Sequence, residues 1–218
     1  MRVLLAVLAL VLVAAPAARA EVAIPVRPDL KTAGWEMLGF NNIPETAFRT
    51  LDSGAVEIAA DKSSSVLYLK IADEPVPAAR LAWDWQVTDP LPATDLSKTD
   101  GDDRVLSVYV AFSDGSMASK LKAMMSPLMA GKVLNYVWGG DKALDIPHPH
   151  FSDSGRLIVR RTADAASGAW ISESVDLIKD YERAFGEAPP GVLYIGISGD
   201  SDDLATTSRG LIRNLRLE

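Results

Sequence analysis

The sequence contains no cysteine, and this absence narrows the classes of protein that it can encode. Its 218 residues include two histidines and no cysteine. A disulfide framework and an acylated lipoprotein cysteine are therefore excluded. A serine hydrolase has little support, because histidine is scarce and no Gly-x-Ser-x-Gly segment occurs. A glycine-rich phosphate-binding loop is also missing.

Long hydrophobic runs are missing as well, except at the start of the chain. Residues 3–15 are uniformly apolar and follow Met1-Arg2, and Ala18-Arg19-Ala20 has the small-x-small pattern that signal peptidase recognises. This run is too short to span a bilayer as a helix, which needs about 20 residues. We expect a signal peptide over residues 1–20, cleaved after Ala20. The sequence thus predicts a periplasmic or secreted protein with no transmembrane segment after cleavage.

Positive charge is the scarcer sign, with 22 Lys and Arg against 29 Asp and Glu, a formal net charge of −7. Removal of Arg2 and Arg19 with the signal peptide brings the net charge to about −9. Such an acidic surface argues against nucleic acid and anionic membranes as partners. Residues 21–218 have the length of one domain with its own core.

A strand pattern organises the mature chain. In residues 81–90, Leu81, Trp83, Trp85 and Val87 alternate with smaller or polar residues, which predicts a strand whose tryptophans lie in the core. Residues 104–112 alternate in the same way. Eight to ten such stretches, joined by Pro-, Gly- and Asp-rich connections, favour packed antiparallel sheets over a parallel sheet, which would need a helix after nearly every strand. We expect a mainly β fold, a two-sheet antiparallel β-sandwich of the jelly-roll type with one or two short helices.

Two strand pairs and two helices can be placed within this pattern. Residues 55–59 and 66–71 are read as a β-hairpin, and residues 156–162 and 169–175 as a second hairpin-like pair. Asp176 predicts the cap of a helix that Gly186 ends. A further helix is predicted over residues 117–130, with one apolar face that we expect in the core. That face comprises Met117, Leu121, Met124, Met125 and Leu128.

Several short segments, in their order and spacing, resemble a known family. They are Leu81-Ala-Trp83-Asp-Trp85, Gly101-Asp102-Asp103 before a Val-Tyr-Val-Ala-Phe strand, Tyr136-Val-Trp138-Gly139, Trp170 followed by Asp180-Tyr181 and Phe185-Gly186, and Asp200-Ser-Asp202-Asp203. From about Trp83 to Ser208 the chain is similar to the bacterial proteins classed as domain of unknown function 3047. That family has no assigned activity, so the resemblance implies no catalytic residue. More loosely, residues 81–90 and 210–218 are similar to strands of carbohydrate-binding jelly-roll modules.

Two acidic clusters lie in predicted loops at strand ends. Asp102 and Asp103 belong to the first, and Asp200, Asp202 and Asp203 to the second. Clustered carboxylates can supply the hard oxygen ligands that calcium takes, so a calcium site is expected if the two loops converge. Two of these carboxylates could instead act as the catalytic pair of a glycoside hydrolase. The alternative is that both clusters are solvated turns.

The two histidines form the segment His148-Pro-His150. Residues two apart in an extended segment face the same side, so the imidazoles could share zinc or copper with Asp145 or Asp153. The alternative is an ordinary proline-containing loop.

A third candidate site follows from the polar face of the Trp83 strand. Asp84 and Gln86 project opposite the tryptophans, and Trp138 or Trp170 could offer an indole platform to a sugar ring. The resulting hypothesis is a non-catalytic module that binds a carbohydrate or cell-envelope glycan. The alternatives are a carboxylate-dependent hydrolase of the envelope and a structural or interaction module.

Overall fold

The computed structural model describes residues 22–27, 29–127 and 130–218. The predicted signal peptide and Leu128 lie outside the described residues. The two helices are α1 (Met117–Met125) and α2 (Leu177–Phe185). The strands are β1 (Val22–Ala23), β2 (Trp35–Gly39), β3 (Ala47–Thr50), β4 (Val56–Asp61), β5 (Ser64–Lys70), β6 (Arg80–Asp89), β7 (Arg104–Phe112), β8 (Val133–Trp138), β9 (Asp145–Pro147), β10 (Gly155–Arg161), β11 (Ile171–Asp176), β12 (Val192–Asp200) and β13 (Thr207–Leu217).

These strands form two sheets. The six-stranded sheet has the order β11-β6-β13-β4-β3, with β1 also paired to β13. The seven-stranded sheet has the order β2-β5-β12-β7-β8-β10-β9. Neighbouring strands are antiparallel, apart from the parallel pair of β8 and β10. The predicted fold class, a mainly β jelly-roll sandwich with short inserted helices, is confirmed.

The core lies between the sheets and is rich in aromatic rings. Trp83 and Trp85 are fully buried and pack edge to face, with ring centroids 5.3 Å apart. Trp83 also contacts Tyr136 of the opposite sheet, at 5.6 Å between centroids. The large residues that alternate along β6 and β8 therefore face one another across the core, as the period of two requires. The core position predicted for the two tryptophans is confirmed.

The predicted strand pairs are wrong, because consecutive strands often belong to different sheets. β4 lies in the six-stranded sheet and β5 in the seven-stranded sheet, and β10 and β11 are divided in the same way. Only Lys62 and Ser63 separate β4 from β5, and Lys62 has a left-handed backbone with φ of 52°. This sharp change of direction carries the chain from one sheet to the other. Alternation shows which residues share a face, but it does not identify the neighbouring strand.

The outer face of the seven-stranded sheet is covered as well. All nine residues of β7 are buried, although only alternate residues point into the main core. Outside that core, Tyr109 packs with Val66 and Val133, while Val137 packs with Leu96. Loops from other parts of the chain thus lie over this sheet, and the candidate site forms beneath them.

Helix α2 forms as predicted. The Asp176 side chain accepts a hydrogen bond from the Lys179 backbone N–H, and Gly186 ends the helix with φ of 74°. Leu177 and Tyr181 are buried against the sandwich. The cap, the apolar face and the terminating glycine all agree with the sequence prediction.

Helix α1 also forms, but its predicted burial in the core is wrong. Met117, Leu121, Met124 and Met125 are 81%, 63%, 84% and 76% exposed. The inner faces of both sheets are filled by strand residues, and α1 contributes no buried residue to the core that the structure describes. A 3.6-residue period shows that a face is apolar and does not show that a partner surface exists. Among the described residues, no helix has the length and hydropathy needed to cross a membrane.

Candidate functional site

The register of β7 and β12 brings the two acidic loops together. Asp200 at the end of β12 pairs with Arg104 at the start of β7 and with Ser64 at the start of β5. Because these strands are antiparallel, the loop before β7 and the loop after β12 meet at the same end of the sheet. The convergence on which the sequence prediction depended is therefore observed.

Arg104 lies at the centre of this meeting point and is 5% exposed. Its Nε donates to Ser107 Oγ at 3.0 Å, and its Nη2 donates to the Tyr109 hydroxyl at 2.9 Å. Nη1 lies 2.8 Å from Asp102 Oδ2, and Nη2 lies 3.4 Å from Asp200 Oδ2. Burial lowers the pKa of Arg104, but Tyr109, Asp200 and Asp102 outweigh this and raise the pKa further above its usual range. The guanidinium is thus a fixed, hydrogen-bonded cation between the loops.

Asp103 joins the two loops directly. Its carboxylate accepts hydrogen bonds from the backbone N–H groups of Asp203 at 3.3 Å and Leu204 at 2.7 Å. Burial raises the pKa of Asp103 in spite of these bonds. Asp102 has a different role, since its second oxygen lies 3.2 Å from His150 Nε2. The five predicted metal-binding aspartates therefore come together, but they have different partners.

Three of these carboxylates form a group that we call the acidic triad, consisting of Asp103, Asp200 and Asp202. Each offers an oxygen, and these oxygens all lie within 4.8 Å of one another. Burial, and the nearby charges of Asp202 and Asp103, raise the pKa of Asp200 well above its usual range, although Arg104 opposes this. Three acceptors this close repel one another unless a proton or a cation lies between them. Carboxylate oxygens alone are a suitable donor set for a hard divalent cation.

A cavity of about 600 Å³ opens beside the triad, on the outer side of the seven-stranded sheet. We refer to it below as the cavity. Arg104, Tyr109 and Asp200 come from the sheet, and Asp102, Asp202 and Asp203 come from the acidic loops. Leu38, Phe40 and Ile43 form an apolar side, while His148, His150 and Phe151 belong to the connection between β9 and β10.

His148 is a buried residue of the cavity wall. Its ring stacks on Phe151 at 3.7 Å between centroids, and its Nδ1 accepts a hydrogen bond from the His150 backbone N–H at 3.3 Å. Desolvation, with the charges of Arg104 and His150, lowers the pKa of His148 to about 2, so the ring is neutral. Its Nε2 is buried and has no partner among the described residues.

A zinc or copper site at the histidines is not formed in the described part of the chain. Within those residues, the acidic triad is the group of three or more ligand-type side chains close enough to share an ion, and neither histidine belongs to it. The predicted partner Asp145 binds Arg156 Nε at 2.5 Å and Arg183 Nε at 2.6 Å. Asp145 is thus ion-paired with two arginines and does not contribute to a metal site with the imidazoles.

The face predicted around Asp84 lies on the other sheet. The Asp84 carboxylate accepts hydrogen bonds from Ser172 Oγ at 2.6 Å, Asn214 Nδ2 at 2.7 Å and Arg213 Nε at 3.2 Å. The Arg213 guanidinium also lies over the Trp170 ring, 3.9 Å from its centroid. Desolvation would raise the pKa of Asp84, but these bonds outweigh it and the pKa is lowered. This face is therefore largely occupied by its own hydrogen bonds.

Gln86 and Trp138 complete that predicted set. The Gln86 amide donates to the Gly168 carbonyl at 2.6 Å, on the same face as Asp84. Trp138 lies apart from it in the core, 2% exposed, with its ring 5.4 Å from that of Trp85. The expectation that Trp138 offers a platform to a ligand is wrong, because both neighbouring sheets enclose its ring.

Comparison with known proteins places the chain in a family. The model of a protein family of unknown function, DUF3047, matches residues 33–216. The chain belongs to the DUF3047 family. The resemblance predicted from the sequence is thereby confirmed, and the match includes both acidic loops and the cavity side at Phe40. A search of curated proteins finds no match to this DUF3047 chain.

Solved structures that resemble this DUF3047 chain include carbohydrate-binding modules. The family 11 module from Clostridium thermocellum, in complex with a β-1,3-1,4-mixed-linked tetrasaccharide, shows 7% identity and a TM-score of 0.44 over 90% of this chain and 94% of that one. A mutant of a family 29 module shows 10% identity and a TM-score of 0.42, over 91% and 90% of the two chains. TmCBM61 in complex with β-1,4-galactotriose shows 12% identity and a TM-score of 0.40, over 90% and 98%. A likeness at this level does not extend to function.

Proposed function

We propose that this DUF3047 protein binds a carbohydrate in the cavity, without transforming it, after export to the periplasm or cell exterior. The observation that carries the proposal is the cavity itself, which combines an exposed aromatic ring with a cluster of hydrogen-bonding side chains. Its volume of about 600 Å³ suits a ligand the size of one or a few sugar rings.

The chemistry of the cavity matches the two sides of a sugar ring. A sugar presents an apolar C–H face that packs on aromatic side chains, and hydroxyl groups that donate to carboxylates. Phe40 is 41% exposed on the apolar side, and Asp202 and Asp203 supply acceptors elsewhere in the cavity lining. The buried His148 Nε2 adds a polar group that lacks a partner among the described residues.

The first prediction concerns binding. Purified protein is screened against a panel of bacterial and plant glycans, and the best ligand is measured by isothermal titration calorimetry. We expect Phe40→Ala to weaken binding by about tenfold, because it removes the stacking surface. Met37→Ala is the matched control, since Met37 is 38% exposed on the same strand end but does not line the cavity.

Two outcomes would overturn the proposal. One is the absence of binding across the panel. The other is loss of binding in Trp170→Ala but not in Phe40→Ala, which would move the site to the six-stranded sheet.

A hydrolase is the second candidate, and one observation favours it. Burial raises the pKa of Asp200 although Arg104 lies 3.4 Å from it, as suits a general acid, and the neighbouring Asp102 could serve as the second carboxylate of a hydrolase pair. Release of new reducing ends from a bound glycan, abolished by Asp102→Asn, would establish hydrolysis in place of simple binding. Activity that is unchanged in Asp102→Asn and Asp202→Asn would remove these carboxylates from any reaction.

A further inference from the structure

We propose that the acidic triad binds a hard divalent cation, with Ca²⁺ as the preferred ion, at the side of the cavity that Asp200 and Asp202 line. The site deepens the proposed function, because a cation at this place would contact the carbohydrate. Its existence, however, does not depend on carbohydrate binding.

The first observation is the distance between the ligand oxygens. Oxygens of Asp103, Asp200 and Asp202 lie within 4.8 Å of one another, so a single ion between them can reach all three. Calcium–oxygen distances of about 2.3–2.6 Å place ligand oxygens at this mutual separation. All three side chains of the triad offer carboxylate oxygens, which favours Ca²⁺ over softer metals.

The second observation is an unmatched oxygen in the centre of the group. Asp200 is 7% exposed, and its Oδ1 is buried and accepts no hydrogen bond from any residue that the structure describes. A buried carboxylate oxygen without a partner is costly, so such an oxygen in a protein interior is usually paired or bound to a metal. Asp200 is a member of the triad, so an ion bound there would supply the missing contact.

The third observation is the surplus of negative charge. Five carboxylates, counting Asp102 and Asp203, come together in the two loops, and the buried Arg104 pairs with two of them. Arg104 is already committed, with Nη1 at 2.8 Å from Asp102 Oδ2 and Nη2 at 3.4 Å from Asp200 Oδ2. Arg104 also attracts Asp103, but the carboxylates still outnumber it, and a divalent cation would relieve their repulsion.

The ion would also act as a contact for the ligand. Ca²⁺ binds six to eight oxygen ligands. Three carboxylates supply fewer than this when some of them bind through a single oxygen, so some coordination positions stay open. Asp200 and Asp202 line the cavity, so the open coordination positions face the space in which the carbohydrate is proposed to bind. Neighbouring sugar hydroxyls could fill them, which would make carbohydrate binding dependent on the cation.

The test is thermal unfolding of the purified protein after treatment with EDTA, then with Ca²⁺ or Mg²⁺ added at about 1 mM. We expect Ca²⁺ to raise the Tm by about 5 °C or more when it exceeds its Kd about 100-fold. Asp202→Asn should abolish most of this rise, and should raise the Tm in EDTA because it removes a repelling charge. Asp100→Asn is the matched control, since it changes the same charge in the first acidic loop outside the triad and should leave the rise intact.

The alternative to a cation is a proton shared within the triad. An unchanged Tm on addition of Ca²⁺ and Mg²⁺ would overturn the cation site and favour the proton. An equal rise in wild type and Asp202→Asn would also overturn it, because the ion would then bind elsewhere.

Carbohydrate titrations in EDTA and in Ca²⁺ separate the two proposals. A Ca²⁺-dependent Tm without carbohydrate binding retains the cation site and rejects the proposed function, whereas equal binding in both buffers rejects the ligand-contact role of the ion.

Discussion

Arg104 places a positive charge at the point where two acidic loops meet the seven-stranded sheet. Removing one partner of a buried charge network leaves the other partners uncompensated, and this typically costs about 3–5 kcal/mol. We therefore expect Arg104→Met to lower the unfolding free energy by about that amount in urea titrations near pH 7. Arg209→Met is the control, because Arg209 is exposed and its loss should change stability by less than about 0.5 kcal/mol. A loss below about 1 kcal/mol for Arg104→Met would contradict the central role of this residue.

His148 should make stability depend on pH. Its pKa is lowered from 6.5 to about 2, so in acid the unfolded chain takes up a proton that the folded chain does not. The unfolding free energy therefore falls as the pH drops below about 6.5, by up to about 1.4 kcal/mol per pH unit from this group. In urea titrations at about pH 7 and about pH 5.5, the fall should be about 1 kcal/mol greater in wild type than in His148→Phe. Equal falls in the two proteins would show that His148 is protonated in the folded state.

Of the individual residues that form the candidate site, the sequence indicated only some. The five aspartates stand in two obvious clusters, and the structure brings them together. Arg104 was missed, because an arginine at the start of an alternating strand resembles an exposed residue. A possible signal was its position directly after Asp102-Asp103, where a buried carboxylate needs a counter-charge. Phe40 and Phe151 gave no signal, since neither lies in a periodic segment.

The two helices differ in what they contribute to stability. Leu121 of α1 is 63% exposed, whereas Leu177 of α2 is fully buried. We expect Leu121→Ala to change the unfolding free energy by less than about 0.5 kcal/mol, and Leu177→Ala to lower it by about 2–5 kcal/mol. Both substitutions make the same chemical change in a helix, so equilibrium unfolding compares burial alone. A large loss for Leu121→Ala would mean that the face of α1 is covered in solution.

The extents of the strands were easier to predict than their partners. The stretches predicted at residues 55–59 and 66–71 correspond to β4 and β5 within about two residues. Both pairings were wrong, because periodicity depends on each strand's own two faces. Strand pairing depends instead on contacts between strands that are distant in the sequence. The two-residue connection after Asp61 crosses from one sheet to the other, whereas a hairpin would have kept β4 and β5 in one sheet.

In the whole molecule, the candidate site forms because the sheet topology brings distant parts of the chain together. Asp103 accepts hydrogen bonds from backbone groups about 100 residues further along the chain, because β7 and β12 are antiparallel neighbours. The alternating pattern predicted the fold class, since many short strands without intervening helices suit a sandwich. The location of the cavity depends on the β7–β12 register and on loops that cover the outer sheet face, neither of which a local pattern contains.

The most direct test of the account is a crystal structure of the protein with its best oligosaccharide ligand, prepared with Ca²⁺. The account predicts density for a sugar in the cavity, packed on Phe40, with its hydroxyls near Asp202 and the ion. Density on the outer face of the six-stranded sheet around Trp170, with the cavity unaltered, would contradict it.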